Sequence, residues 1–193
     1  PTRRSSDLGE TDEEVLISCH TCHPSLANDN LAGIAVAVAL AKRLASEPRR
    51  LSYRFCFVPG TIGSITWLAT NPTVYPRIKH GLVLTCAGDE GNVTYKKSRR
   101  GDALIDQAMQ HVLATSGDSY RVEEFHPYGY DERQYCSPGI NLAVGCLSRS
   151  SHGTFPEYHT SADNLDFIKP HAMADTLTKA LDVIEVLVNN ACF

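Results

Sequence analysis

Polar and apolar positions along the chain change rhythm several times, and each change marks a candidate element. Val15-Leu16-Ile17-Ser18-Cys19 is a short apolar, β-branched run of the kind a buried strand requires. Pro24 interrupts the chain beyond it, and Asn28-Asp29-Asn30 offers capping side chains to a helix over 31–45. That stretch is rich in alanine, leucine and valine, with Lys42 and Arg43 its charged positions. A second strand is expected over 51–58, closed by Pro59-Gly60, then a short helix over 62–69 with Trp67 on its apolar side, and a third strand over 81–86. The polar alternation of 92–98 predicts an edge strand. Leu104, Ala108, His111 and Val112 give helical spacing to 102–115. One more strand is expected over 120–125, a polar loop over 126–139, a strand over 140–147 and a long loop over 148–164. The chain closes with an amphipathic helix over 170–190 whose stripe is Met173, Leu177, Leu181, Ile184 and Val188.

Strands alternating with helices predict an α/β sandwich around a mostly parallel sheet, with ligands at the strands' carboxyl ends. At 193 residues and 42% hydrophobic content the chain can bury one substantial core. The net charge of -4 is spread over mixed patches, so neither a nucleic-acid backbone nor a membrane surface is an expected partner; a small peptide or amide substrate is. Seven cysteines scattered through apolar runs, including Cys56, Cys86 and Cys146, suggest buried thiols of a reducing, cytoplasmic compartment. Residues 1–8 look like the translation of a sequencing adapter and are set aside as a non-native tail. The expected domain is 9–193.

Chemistry-bearing side chains gather where strands end. Cys19-His20-Thr21-Cys22-His23 and Asp29 lie at and beyond the end of the first strand, Asp89 beyond the third, and His159 sits in the late loop. Imidazole and carboxylate are groups that Zn²⁺ accepts, and four of them from separate segments suit a metal hydrolase. Two rival readings of the first cluster are weaker. Cys-x-x-Cys-His also fits c-type haem attachment, which needs an exposed loop, whereas Cys19 ends an apolar strand. A structural zinc site would need a second cysteine pair at finger-like spacing. His80, His111 and His171 are read as surface or helix-packing groups, and His126 and His152 as loop histidines.

Several longer stretches carry a resemblance. They are residues 16–20 (LISCH) with 22–33 (CHPSLANDNLAG), 59–65 (PGTIGSI), 131–139 (DERQYCSPG) and 157–164 (EYHTSADN). In that order the chain resembles the zinc-dependent exopeptidase clan that includes bacterial aminopeptidases and glutaminyl cyclases. It is most similar to the clan's aminopeptidase-like branch, a domain of unknown function. The resemblance implies a three-layer α/β/α fold, one or two zinc ions and hydrolysis of a peptide or amide bond. His20 matches the clan's first histidine ligand, with His23 its rival. Asp29 matches the aspartate that bridges two metals in dinuclear members, Asp89 a carboxylate after a central strand, and His159 the late histidine. The branch usually carries further segments on both sides, so the chain is expected to be its catalytic-fold core, able to assemble through exposed edges.

One departure bears on activity. Active peptidases of the clan place paired glutamates before the short helix, one of them a general base, where this chain has Gly60-Thr61. A general base is worth about 10² to 10⁴ in rate. Either Asp131 or Glu132 takes that role, binding a substrate amine or moving protons, or the site binds ligand without hydrolysing it.

Overall fold

A computed structural model describes residues 6–7, 9–46 and 49–190. Of the stretch set aside as a tail, all but the backbone of Ser6–Asp7 lies outside the described residues. The strands are β1 (Ser6–Asp7), β2 (Glu14–His20), β3 (Ser52–Val58), β4 (Ile78–Leu84), β5 (Val93–Lys96), β6 (Tyr120–Glu123) and β7 (Val144–Ser148). The helices are α1 (Gly33–Leu44), α2 (Ile62–Thr70), α3 (Leu104–Thr115), α4 (Glu132–Tyr135) and α5 (Pro170–Asn189). The strands form one sheet in the order β1-β3-β2-β4-β7-β5-β6. Its pairings are parallel except β1 with β3 and β5 with β7.

Alternation along β2 assigns the two faces. Val15, Ile17 and Cys19 pack with α1, α3 and α5 in one core, through Val36, Leu40, Met109 and Ile184 among others. Leu16 and the residues in step with it face α2 and α4, where Trp67, Tyr135 and Val144 form the second core. The result is the expected three-layer α/β/α sandwich. Because β2, β3 and β4 run parallel, their carboxyl ends open on one edge of the sheet.

The structure revises some sequence expectations. The 92–98 stretch is no edge: β5 lies between β7 and β6, and Thr94 and Lys96 are buried. Its polar alternation reflects an internal ion pair of Lys96 with Glu132. In α3 the buried stripe is Ile105, Ala108, Met109, Val112 and Leu113, while His111 faces solvent. In α5 the deepest positions are Ala172, Thr176, Ala180, Val183, Ile184 and Leu187, one step round from the expected stripe, whose other members pack at the core's margin. The loop over 126–139 contains the single turn α4. Cys19, Cys56, Cys86, Cys136 and Cys146 are buried free thiols. Among the described residues no helix is long and apolar enough to cross a membrane.

Gly145 in β7 is required by packing. A Cβ there would lie 2.1 Å from the hydroxyl of Tyr95, a fully buried ring held by its bond to Asp106 at 2.8 Å. Gly145→Ala is expected to cost about 1–3 kcal/mol through overpacking, read as a lower denaturation midpoint with an unchanged m-value.

Candidate metal centre

His20 ends β2 on the α2/α4 side of the sheet, by the same alternation that sends Leu16 there, and its ring stacks on Tyr130 at 4.6 Å between centroids. The chain then makes an irregular turn, Ala27–Ala32, before α1. The expected capping role of Asn28-Asp29-Asn30 is not what these side chains do, since α1 has no side-chain cap. Asn30 Nδ2 instead donates to the Leu84 carbonyl at 3.0 Å, and Asn28 Nδ2 to Asp89 Oδ2 at 2.8 Å. These bonds tie the turn to the end of β4 and the loop beyond it, and they hold Asp29 inward.

Asp29 is fully buried with three imidazoles around it. His20 Nε2 lies 2.7 Å from Oδ1, while His159 Nε2 lies 3.0 Å and His23 Nε2 3.9 Å from Oδ2. His20 and His23 therefore face opposite oxygens of one carboxylate. The His23 and His159 rings meet edge to face at 4.6 Å. Burial alone would raise the Asp29 carboxyl pKa, but the bond to His20 and the charges of His20, His23 and His159 outweigh it and hold it below the ordinary value.

His23, Asp29 and His159 each offer one donor atom, all within 4.8 Å of one another. Two zinc ligands at 2.0–2.1 Å in a tetrahedral shell stand about 3.3 Å apart. The observed separations bracket that figure, and the nitrogen and oxygen donor set fits Zn²⁺. A cavity of about 140 Å³ opens beside the group, between Gly60-Thr61 and Tyr158-His159, with Tyr130 and Asp131 in its wall. The Tyr130 hydroxyl is 3.5 Å from Asp29 Oδ1 and 3.4 Å from that of Tyr158.

Not every expected site residue converges here. Asp89 is buried but committed to structure: its oxygens accept Asn28 Nδ2, the Gly91 amide at 2.7 Å and the Ser150 hydroxyl at 2.6 Å. Glu132 pairs with Lys96, takes the Tyr130 amide at 3.2 Å and lines a neighbouring small cavity with His126 and His152. Asp131 does line the main cavity. Its Oδ1 accepts the Thr61 amide at 2.6 Å and the Ser64 hydroxyl at 2.9 Å, and burial pushes its carboxyl pKa up. Cys22 lies beside Gly60, whose amide donates to its Sγ at 2.9 Å. A Cβ at Gly60 would meet that sulfur at 2.6 Å, so the cysteine fills the space a side chain there would enter.

Sequence reasoning assigned no role to Asp163 or Tyr130. Asp163, in the EYHTSADN stretch, accepts the amides of Asn28 at 2.6 Å and Asp29 at 3.0 Å, and so clamps the late loop that carries His159 to the turn that carries Asp29. The signal was its place in the same stretch as His159. Thr61 and His159 hold φ of 64° and 57°, a left-handed backbone that non-glycine residues adopt at some cost and that recurs at functional sites.

Residues 6–190 match the family DUF4910, a domain of unknown function. The chain belongs to the DUF4910 family. A candidate polysaccharide biosynthesis protein with an aminopeptidase-like domain, from Clostridium acetobutylicum, is 49% identical over 185 residues, 96% of this chain and 42% of that protein. The crystal structure of a candidate peptidase from Clostridium acetobutylicum superposes with a TM-score of 0.94 at 49% identity, covering 96% of this chain and 44% of that one. A zinc aminopeptidase from Bacillus subtilis shares the fold alone, with a TM-score of 0.79 at 17% identity over 94% of this chain and 47% of its own. This DUF4910 chain thus spans less than half the length of these relatives.

Asp163→Ala in the DUF4910 chain removes two charge-assisted bonds and orphans two buried amides. An expected loss of about 2–4 kcal/mol of stability, measured by denaturant unfolding, would accompany it.

Proposed function

We propose that the chain is a metal-dependent, aminopeptidase-like hydrolase of peptide or amide bonds, with one zinc ion held by His23, Asp29 and His159. The observation that carries this reading is the convergence of three imidazoles on the two oxygens of one buried carboxylate at the mouth of a cavity. Zinc in such a site supplies Lewis acidity toward a carbonyl and a water whose pKa falls to roughly 7. Similarity to aminopeptidase-like relatives supports the same reading.

The chain's own groups divide the remaining work. His20 approaches Asp29 from the Oδ1 side, where a second cation would find two donors, so the three-donor Oδ2 side is the primary site. Tyr130 and Tyr158 present hydroxyl donors to a bound carbonyl oxygen. Glu132, neutralised by Lys96, fixes the Tyr130 backbone instead of serving as a free base. Asp131 is the carboxylate left in the cavity wall to handle a proton, and Asp89 stands outside the ligand set. A small peptide or amide is the partner this pocket suits, with a cytoplasmic setting part of the proposal.

A second reading is favoured by one observation, the Cys22 sulfur against Gly60, which stands where the side chain of the clan's general base would start. On that reading the chain binds metal or ligand without turnover. Zinc analysis with aminoacyl chromogenic substrates separates the two. The hydrolase reading expects one zinc per chain, measurable turnover, and loss of both in His159→Ala. Stoichiometric zinc with no turnover would favour the binding relative, and full zinc retention by His159→Ala would sink the ligand assignment.

A further inference from the structure

Far from the metal centre the sheet ends in a strand bonded along one flank. Among the described residues β6 pairs with β5 and with no strand beyond it. Such an edge offers a row of free amides and carbonyls to another chain, and proteins commonly blunt it with lysine, proline or a bulge. β6 has none of these: it reads Tyr120-Arg121-Val122-Glu123, in unbroken register with 93–96. Its guard is charge, and that charge is of both signs.

Register with β5 puts Arg121 and Glu123 on the face of Thr94 and Lys96. Tyr120 and Val122 share the other face, where Val122 packs against the core under α3. The Arg121 side chain is 68% exposed, and its Nη1 stands 3.7 Å from Glu123 Oε1, longer than a hydrogen bond. Neither residue has another ion pair among the described residues, since the neighbouring Lys96 is held by Glu132.

This pattern is complementary to itself. In an antiparallel pairing of two β6 strands with Val122 opposite Val122, Arg121 of each copy faces Glu123 of the other. Shifting by two residues, the smallest shift that keeps the faces, sets Arg121 against Arg121 in one direction and Glu123 against Glu123 in the other. Like charges directly opposite are destabilising, so charge selects one register. On the far side of the sheet the two Val122 side chains meet, and the exposed Tyr120 ring reaches its diagonal neighbour, Val122 of the other copy.

We propose that β6 is a self-association edge: two copies of this chain pair their β6 strands antiparallel about Val122 and continue one sheet across a two-fold axis. Four ions then alternate in sign around the axis, each with two opposite charges beside it instead of one. A contact this short buries little area, so the dissociation constant is on the order of 10⁻⁵ M or weaker. The inference is independent of the metal reading.

Sedimentation equilibrium up to about 1 mM protein, above that dissociation constant, tests it alongside hydrogen exchange of the β6 amides. The wild type should pass from monomer to dimer, and β6 protection should rise with the dimer fraction. Arg121→Glu, at an exposed position, sets two like pairs across the axis and should weaken the dimer by about 10- to 100-fold. Glu123→Arg should do the same. An equimolar mixture of the two folded variants restores opposite charges at every pair and should dimerise about as tightly as the wild type. A wild type that stays monomeric, an Arg121→Glu variant that dimerises unchanged, or a dimer that leaves β6 unprotected would each overturn the proposal. So would β6 amides already protected in the monomer, which would mean that another segment of the chain covers the edge.

Discussion

A carboxylate removed from water must be compensated by partners, and Asp29 is such a group at the centre of this fold. It takes His20 from the end of β2, His23 from the turn after it and His159 from a loop 130 residues away. The sheet brings the first two together by ending its parallel strands on one edge. The third is brought by Asp163, whose carboxylate closes the late loop onto the backbone that presents Asp29. Two negative groups thus share one short turn without facing each other, since Asp163 is bonded to amides and Asp29 to imidazoles.

The same logic explains the polar groups that do not join the site. Asp89, Asn28 and Ser150 form a buried knot between the turn and the strand ends, with backbone amides from Gly91 and Ser150 completing it. Glu132 and Lys96 form another under the Tyr130 loop, where Gly129 leaves space because a Cβ would meet both side chains within 2.5 Å. Each knot holds one wall of the cavity. Carboxylates used this way are neutralised or hydrogen-bonded by groups distant in sequence, which their place beyond a strand end does not reveal.

Much of the architecture was legible because it rests on local rhythm. The runs at 15–19 and 51–58, the alanine-rich helix and the long terminal helix all lie close to where their periodicity placed them. What was not legible depends on tertiary pairing. The stretch that carries Lys96 looked like an edge strand because the partner of that lysine, Glu132, is distant in sequence. Asn28 and Asn30 looked like caps because their bonds to Asp89 and Leu84 cannot be seen locally. In the site, Asp29 and His159 stood out by type and motif. The division of His20 and His23 between two oxygens needed coordinates. The exchange of a side chain at position 60 for the sulfur of Cys22 is likewise spatial: Gly60 read as a gap in the sequence and is a filled contact in the fold.

Family membership fixes the scaffold, and the chain spans less than half the length of the relatives it matches. The central claim concerns the core itself, that Asp29 with His23 and His159 forms a zinc centre. A crystal structure grown with zinc tests it most directly, through anomalous diffraction at the metal edge. The expected result is one strong peak with His23, Asp29 and His159 as ligands at about 2.0–2.2 Å. A peak held by Cys19 and Cys22, a peak at Asp89, or none in the cavity at full zinc would contradict it.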